Sequence, residues 1–237
     1  MKIRKVRWQT PLGSYVSPYE NRIALIRYFA YARLGAALKH AAGNPALRVL
    51  DFGCWAGHFL PSLAERFPEV WGVDDDSGSV IQQVPEYWTT LQLAQQLCRH
   101  ELGDVSVRLI RATGSALPFP ERCFDIVFCL DTLAHVLPAE KQLVISELKR
   151  ITNPDGRLVF TLPIETGIPL LVRKGLRWLS RKHPCNYTYD FRSDLKLLQS
   201  NFRIASQKFW PSYLLSLAVI IDCRPENRVH SDTVSRL

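Results

Sequence analysis

The chain has 237 residues, of which 47% are hydrophobic and 22% are charged. That length can bury one core with an appended element, and the composition is ordinary for a soluble globular protein. The formal net charge of +8 favours anionic partners, namely a phosphorylated substrate, a nucleic acid or an acidic membrane surface. A basic surface that only serves solubility is an equal alternative.

Secreted, membrane-spanning and metal-dependent proteins are disfavoured. The basic N-terminus lacks the apolar segment of a secretory signal, and the longest uncharged apolar stretch, about 13 residues over 209–221, is too short to span a bilayer. The six cysteines form neither a CxxC pair nor a zinc-type spacing, which indicates buried thiols in a reducing compartment. We therefore expect a cytoplasmic protein with no disulfide and no metal ion.

The first half of the chain alternates between apolar runs of helical and of strand character. Apolar side chains at helical spacing predict a helix over 18–42, which Gly43-Asn44-Pro45 ends. The segments that follow predict a strand at 47–53, a helix at 56–67, a strand at 69–76, a helix-compatible stretch at 80–102, and strands at 105–112 and 123–131.

The second half predicts a helix at 139–151, a turn at 153–156, a strand at 156–163 that is buried on both faces, a helix at 191–200, and strands at 202–210 and 214–224. Only a short turn separates the last two strands, so they must be antiparallel, because parallel neighbours need a long crossover. The predicted fold class is α/β: a Rossmann-like, doubly wound seven-stranded sheet, mostly parallel, with an antiparallel C-terminal hairpin strand.

The carboxyl ends of the first two predicted strands carry acids and glycines. Asp51, Gly53 and Gly57 lie where the first strand opens into a helix, and Asp74 ends the second strand roughly 20 residues later. Glycine allows a tight turn and a close approach of the backbone to a ligand, and an acid at this place accepts hydrogen bonds from ribose hydroxyls. Alternatively, Asp74 caps the next helix and Gly57 serves helix–strand packing.

Four segments resemble class I S-adenosylmethionine-dependent methyltransferases, and the likeness is closest to the small-molecule branch called methyltransferase type 11. They are VLDFGCWAGHF and VWGVDDDS, similar to the first two motifs of the family, SALPFPERCFDIVFCLDTLAHV, similar to the segment through the fourth strand, and ELKRITNPDGRLVFTLP, similar to the following helix and fifth strand. The resemblance implies S-adenosylmethionine as the cofactor and one methyltransferase domain over 1–237. Its parts would be an N-terminal helical cap (1–45), a cofactor-binding core (46–163), a substrate or lid insertion (164–190), the last helix and hairpin (191–224) and a tail (225–237).

The resemblance also implies roles for residues at matching positions. Asp51 would meet the methionine amino group of the cofactor, and Asp74 would hold the ribose hydroxyls. The remaining implied contacts are Gly53, Cys54 and Gly57 along the methionine and ribose, Asp75, Ser115 and Ala116 beside the adenine, and Leu130 and Asp131 near the sulfonium.

Two positions depart from the family pattern. Trp55 stands where the family usually has the middle glycine of its first motif, so its indole either packs into the protein, which we favour, or narrows the cofactor pocket. Thr113 stands where an acid usually contacts the adenine amino group, which leaves adenine recognition to backbone groups.

A general base is needed only if the methyl acceptor must lose a proton. His135, just beyond the fourth strand, and His183, in the insertion, are the candidates, because an unperturbed imidazole titrates near neutral pH. Either histidine can equally be structural, and Tyr187 and Tyr189 are alternative residues for positioning an acceptor. No Ser-His-Asp, reactive cysteine or metal pattern is present, which disfavours hydrolysis and metal-dependent chemistry.

The segment 168–182 sorts as a helix with one apolar face and one basic face. Three interpretations remain open: a lid helix over the active site, a helix lying on an anionic membrane, or a phosphate-contacting surface for RNA. No nucleic-acid motif accompanies the segment, so nucleic acid is the weakest of the three.

The sequence thus predicts methyl transfer to the oxygen or carbon of a small, hydrophobic or amphipathic acceptor. An RNA or protein methyltransferase is the alternative that the basic charge suggests. A non-catalytic, cofactor-binding regulatory protein is a second alternative, suggested by Trp55 and Thr113. A nicotinamide-dependent oxidoreductase fits the terminal hairpin less well.

Overall fold

The computed structural model describes residues 3–6, 18–20, 23–41, 48–76, 89–103, 107–164, 189–211 and 217–225. Seven strands lie within these residues, and each coincides with a segment predicted from hydrophobic periodicity. They are β1 (Arg48–Phe52), β2 (Glu69–Asp74), β3 (Val107–Arg111), β4 (Phe124–Leu130), β5 (Thr152–Pro163), β6 (Phe202–Trp210) and β7 (Ala218–Pro225).

The strands form one sheet in the order β3-β2-β1-β4-β5-β7-β6. Strand β7 runs antiparallel to both β5 and β6, whereas all other neighbours are parallel. The predicted fold class is therefore confirmed, including the antiparallel hairpin. Strand order reverses between β1 and β4, and in doubly wound sheets ligands bind beyond the carboxyl ends of the strands at this reversal.

Helices cover both faces of the sheet and form two hydrophobic clusters with it. Buried side chains of the first three helices pack on one face, and those of the last two pack on the other. The helices are α1 (Ala24–Leu38), α2 (Leu60–Ala64), α3 (Thr90–Leu102), α4 (Lys141–Ile151) and α5 (Phe191–Asn201), with single 3₁₀ turns at Pro18–Glu20, Lys39–Ala41 and Thr132–His135. No helix in the described residues is long and apolar enough to cross a membrane.

Three predicted boundaries are wrong, for identifiable reasons. Helix α1 begins at Ala24 rather than at residue 18, because Ile23 has an extended backbone and Pro18–Glu20 is a separate 3₁₀ turn. Helix α2 begins at Leu60 rather than at residue 56, because Gly57 has a φ of +79°, which no right-handed helix contains. The turn predicted at 153–156 lies inside β5. Thr152 pairs with Phe124 and Arg157 with Ile126, so residues 153–156 face a single residue of β4 and form a bulge.

The two edge strands of the sheet carry exposed basic side chains. Arg108 and Arg111 are exposed on β3, and Arg203 and Lys208 are exposed on β6. The guanidinium of Arg108 forms an ion pair with Glu69 and lies 4.9 Å from the centre of the Trp71 ring.

A buried ion pair joins α4 to α5. The Lys141 Nζ atom donates hydrogen bonds of 2.7 Å to both carboxylate oxygens of Asp194, and the Tyr189 hydroxyl donates a third of 2.7 Å. Lys141 is 8% and Asp194 is 2% exposed, so both charges are largely removed from water. Removal of one partner would leave an uncompensated buried charge.

We expect Asp194→Ala to lower the free energy of unfolding by about 3–5 kcal/mol, because it leaves the ammonium of Lys141 buried and unpaired. Urea denaturation of the purified protein measures this change. The double variant Lys141→Met/Asp194→Leu, which removes both charges, is expected to recover most of the loss. A double variant as unstable as Asp194→Ala would show that packing at this position, rather than the unpaired charge, determines the cost.

Candidate active site

The loop after β1 is held by the end of the neighbouring strand β2. The backbone N–H groups of Gly53 and Cys54 both donate to the carbonyl oxygen of Val73, at 2.8 and 3.0 Å. Gly53 and Gly57 have φ values of +72° and +79°, in the left-handed region that glycine enters without strain. The loop therefore turns sharply at the carboxyl edge of the sheet, where β1 and β4 diverge.

The space beside each of these glycines is filled by protein. A Cβ atom on Gly53 would lie 2.2 Å from the Cγ2 atom of Thr132, and one on Gly57 would lie 2.9 Å from the Cβ atom of Ala94 in α3. Gly57 therefore packs the loop against helix α3, rather than a helix against a strand as the alternative interpretation of the sequence proposes. Both glycines thus fix the backbone path of the loop, independently of any contact with a ligand.

Trp55 adopts a left-handed conformation, with a φ of +46°, at the position where a glycine is usual. Its backbone N–H donates to the Oδ2 atom of Asp74 at 2.9 Å. Its indole stacks on the imidazole of His58, with 5.5 Å between ring centres and 14° between ring planes. The indole thus packs on a side chain of the same loop, and its orientation away from the cofactor stays a prediction.

Asp74 joins the β1 loop to the end of β2. Besides the Trp55 N–H, its carboxylate accepts hydrogen bonds from the Asp76 N–H at 3.0 Å and from the Thr90 hydroxyl at 3.3 Å. Asp74 is not the cap of α3, because Thr89 is the N-cap residue and forms a capping box with Gln92. Burial raises the pKa of Asp74, and the two backbone hydrogen bonds counteract part of that rise.

Asp51, on β1, is 4% exposed. Burial, with a smaller contribution from the negative charge of Asp74, raises the pKa of Asp51 to about 7. A buried carboxyl whose pKa burial raises to near 7 favours a cation as its partner, since a positive charge would stabilise the ionised form. The thiol of Cys54 is buried beside it, and burial raises the pKa of that thiol well above its usual value, so it stays protonated.

The end of β4 is tied to the N-terminal helix. Asp131 has a φ of +62°, its Oδ2 atom forms an ion pair with the Arg33 guanidinium of α1, and its Oδ1 atom accepts a hydrogen bond of 2.8 Å from the Thr161 hydroxyl. Leu130 is half-buried beside it. Asp131 thus has protein partners for both carboxylate oxygens.

The remaining predicted site residues lie around this edge or outside the described residues. Asp75, Ser115 and Ala116 are exposed in the segments that follow β2 and β3. His135 is exposed at the end of the 3₁₀ turn that follows β4. His183, Tyr187 and the segment 168–182 lie outside the described residues. In the described part of the chain no three His, Cys, Asp or Glu side chains are grouped to hold a metal ion.

Three residues near the site were not predicted from the sequence: Tyr19, Arg33 and His58. The Tyr19 ring stacks on His58 with 4.6 Å between ring centres, and its hydroxyl accepts a 3.2 Å hydrogen bond from Arg33. Trp55 and His58 lie only three residues apart in one loop, so contact between their rings could have been predicted from the sequence. Arg33 and Asp131 are 98 positions apart, and nothing local in the sequence indicates their pairing.

The segment that contains this edge of the sheet is similar to known methyltransferases. A family model described as a methyltransferase domain matches residues 50–160. The uncharacterized methyltransferase YcgJ of Bacillus subtilis is 30% identical over 152 residues, covering 64% of this chain and 53% of its own. A ubiquinone biosynthesis O-methyltransferase of Pseudomonas entomophila is 32% identical over 151 residues, covering 63% and 58%. The chain thus spans somewhat more than half the length of these relatives.

Solved structures share the fold over nearly the whole chain. A protein from Pyrococcus horikoshii superposes with a TM-score of 0.66 at 16% identity, covering 90% of this chain and 96% of its own. Magnesium protoporphyrin IX methyltransferase from Synechocystis, solved with bound SAH, superposes with a TM-score of 0.62 at 22% identity, covering 88% and 91%. At these identities the likeness establishes the fold.

The buried acid Asp51 predicts a dependence of stability on pH. Its carboxyl keeps its proton in the folded protein up to a pH of about 7, whereas in the unfolded chain it ionises near pH 4. The free energy of unfolding therefore falls between pH 4 and 7 by up to about 1.4 kcal/mol for each pH unit. Asp51→Asn removes this dependence, so the variant is expected to match the wild type near pH 4 and to exceed it at pH 8.

Urea denaturation of wild type and variant at pH 5, 6, 7 and 8 measures the difference. Asp75→Asn, which changes an exposed acid at the same edge, is the matched control and is expected to follow the wild type at every pH. An Asp51→Asn curve parallel to that of the wild type would contradict the raised pKa.

Proposed function

We propose that the chain is a class I S-adenosylmethionine-dependent methyltransferase that methylates a small, hydrophobic or amphipathic acceptor at oxygen or carbon. The observation that carries the proposal is the pair of acids at the reversal point of the sheet. Asp51 is buried at the end of β1, and Asp74 binds the loop that follows it. This is the place where doubly wound sheets bind nucleoside-type cofactors.

The chemistry of these acids fits S-adenosylmethionine. When bound, the cofactor supplies a methyl group activated by a positively charged sulfur. The raised pKa of Asp51 indicates a carboxyl that lacks a cationic partner, and the cationic amino group of the cofactor would meet that need. The Asp74 carboxylate accepts three hydrogen bonds from described residues, and about four acceptor sites on a carboxylate leave room for a ribose hydroxyl.

The other contacts follow from the same placement. Gly53, Cys54 and Gly57 would line the methionine and ribose, and the exposed Asp75, Ser115 and Ala116 would lie beside the adenine. Leu130 and the backbone of Asp131 would lie near the sulfonium, because the Asp131 side chain pairs with Arg33 and Thr161. Thr113 leaves the adenine amino group to backbone acceptors.

Two observations support an apolar acceptor. The first turns of α1 expose Leu25 and Tyr28, with 51% and 60% of their surface accessible, on the helix that Arg33 ties to the end of β4. Relatives bear the names of ubiquinone biosynthesis O-methyltransferase and demethylmenaquinone methyltransferase, and both names describe apolar acceptors. Nothing in the described residues favours RNA or protein as the acceptor. Peripheral membrane association through 168–182 stays a prediction.

Methyl transfer from a sulfonium is an in-line displacement, so the main work of this chain is to hold donor and acceptor in line. If the acceptor is a hydroxyl, a base must take its proton. His135 is the candidate within the described residues, since it follows β4 directly and is exposed at the edge where the methyl group would lie. His183 is the second candidate.

Calorimetric titration of S-adenosylhomocysteine into the purified protein tests the cofactor site. We expect the wild type to bind and Asp74→Ala to bind about 10- to 150-fold more weakly, because hydrogen bonds to a charged group contribute about 1.5–3 kcal/mol. Asp155→Ala, an exposed acid in the β5 bulge, is the control and should bind like the wild type. Binding by the wild type that survives Asp74→Ala undiminished would refute the role of Asp74.

A screen with labelled S-adenosylmethionine and a panel of phenols and quinols tests the activity, and it decides between an enzyme and a regulatory cofactor-binding protein. For a methylated hydroxyl, His135→Gln should lower kcat by about 10²–10⁴-fold and remove the acidic limb of the pH–rate profile. His100→Gln, an exposed histidine on α3, should leave both unchanged. A variant that keeps the acidic limb would exclude His135 as the base and point to His183.

A further inference from the structure

Three aromatic rings form a continuous stack beside the β1 loop. The imidazole of His58 lies between the indole of Trp55 and the phenol ring of Tyr19, with ring centres 5.5 and 4.6 Å apart and ring planes inclined by 14° and 20°. His58 is 3% exposed, so the stack has a buried centre. It joins the loop after β1 to the 3₁₀ turn at residues 18–20, which is far away in sequence.

The stack continues into the N-terminal helix. The Tyr19 hydroxyl accepts a hydrogen bond from Arg33, whose guanidinium also pairs with Asp131 at the end of β4. The edge of the Tyr19 ring packs on Tyr31 of α1, with 5.3 Å between ring centres. The N-terminal segment is thereby held at two strand ends, β1 and β4, on either side of the reversal point.

The backbone conformation of Trp55 links the stack to the cofactor loop. A tryptophan with a φ of +46° is strained, and strain of this kind persists only where the surroundings enforce it. Here the Asp74 carboxylate fixes the backbone N–H and His58 fixes the ring. A movement of Asp74 would therefore reach Trp55 directly, and through the stack it would reach Tyr19.

We propose that Trp55, His58 and Tyr19 form a positioning stack that couples occupation of the cofactor loop to the placement of the N-terminal residues 18–20 and 23–38. The inference rests on the proposed function, since Asp74 is the residue assigned there to the ribose hydroxyls. None of the three rings is a catalytic residue. They transmit the state of the loop to α1, the helix that exposes the apolar side chains proposed to meet the acceptor.

Hydrogen–deuterium exchange with and without S-adenosylhomocysteine tests the coupling, because exchange reports local opening. In the wild type the ligand should slow amide exchange both in the β1 loop and in residues 18–38. In Tyr19→Ala the ligand should still slow exchange in the loop but no longer in 18–38. Of the ring contacts of Tyr19 with Tyr31 and His58, only the one with His58 reaches the β1 loop. One aromatic pair corresponds to a change of about 2- to 10-fold in an equilibrium constant, so affinity should fall by no more than tenfold.

Two further variants separate coupling from a purely structural role. Tyr19→Phe keeps the ring and should restore the slowed exchange in 18–38. Trp55→Gly removes the ring but suits a positive φ, so it should bind the ligand and fail to protect 18–38. Tyr28→Ala, which removes an exposed tyrosine ring of α1 outside the stack, is the matched control. With no acceptor present, the ligand should slow its exchange in the β1 loop and in 18–38 as in the wild type.

The outcomes distinguish this inference from the proposed function. Protection of 18–38 in Tyr19→Ala or Trp55→Gly equal to that in the wild type would overturn the coupling while leaving the cofactor site intact. Bound ligand with no protection of 18–38 in the wild type would do the same. Failure of the wild type to bind S-adenosylhomocysteine would refute the proposed function, and the coupling with it.

Discussion

Three consecutive backbone N–H groups of the β1 loop are held by the last two residues of β2. Gly53 and Cys54 donate to the Val73 carbonyl, and Trp55 donates to the Asp74 carboxylate. The loop forms no helical turn that would satisfy these N–H groups. They take their partners from the end of β2 instead, so the backbone of the loop must follow that strand end. The left-handed conformations at 53, 55 and 57 follow from that path. These three hydrogen bonds fix the backbone of the loop. They thereby also determine where its open side, the acids beneath it and the rings beside it lie.

Burial of Asp51 and Asp74 beneath the loop lowers the stability of the fold when their carboxyls are ionised. Asp51 is buried near Asp74, and the ionised form of each is disfavoured by burial. Side chains with shifted pKa values of this kind concentrate at functional sites, because a ligand rather than the protein supplies the missing partner. Asp131 has protein partners for both carboxylate oxygens, whereas burial raises the pKa of both Asp51 and Asp74.

Most of the sheet was predictable from the sequence, whereas the contacts across its carboxyl edge were not. The strands, their alternation with helices and the antiparallel hairpin follow from periodicity and connection length, which are local properties. The bulge at 153–156 has the composition of a turn and becomes part of β5 only through its pairing with β4. The positive φ of Gly57 shortens α2 in a way that residue type alone does not fix.

The same division applies to the candidate site. Asp51 and the two glycines lie in one short motif and Asp74 ends the next strand, so their meeting at the carboxyl edge of a parallel sheet was predictable. The pairing of Arg33 with Asp131 and the contact of Tyr19 with His58 join segments far apart in the chain. Such contacts depend on how α1 packs on the sheet, and a single sequence carries no signal of that packing.

The basic side chains on the two edge strands bear on how copies of the protein meet one another. An edge strand presents unpaired backbone groups that can recruit a strand from another molecule, and exposed charges of one sign oppose this. Arg108 and Arg111 on β3, and Arg203 and Lys208 on β6, give both edges the same sign. Edge-to-edge association of two molecules would bring like charges together. Part of the +8 net charge therefore lies on edge strands, where it disfavours pairing between molecules.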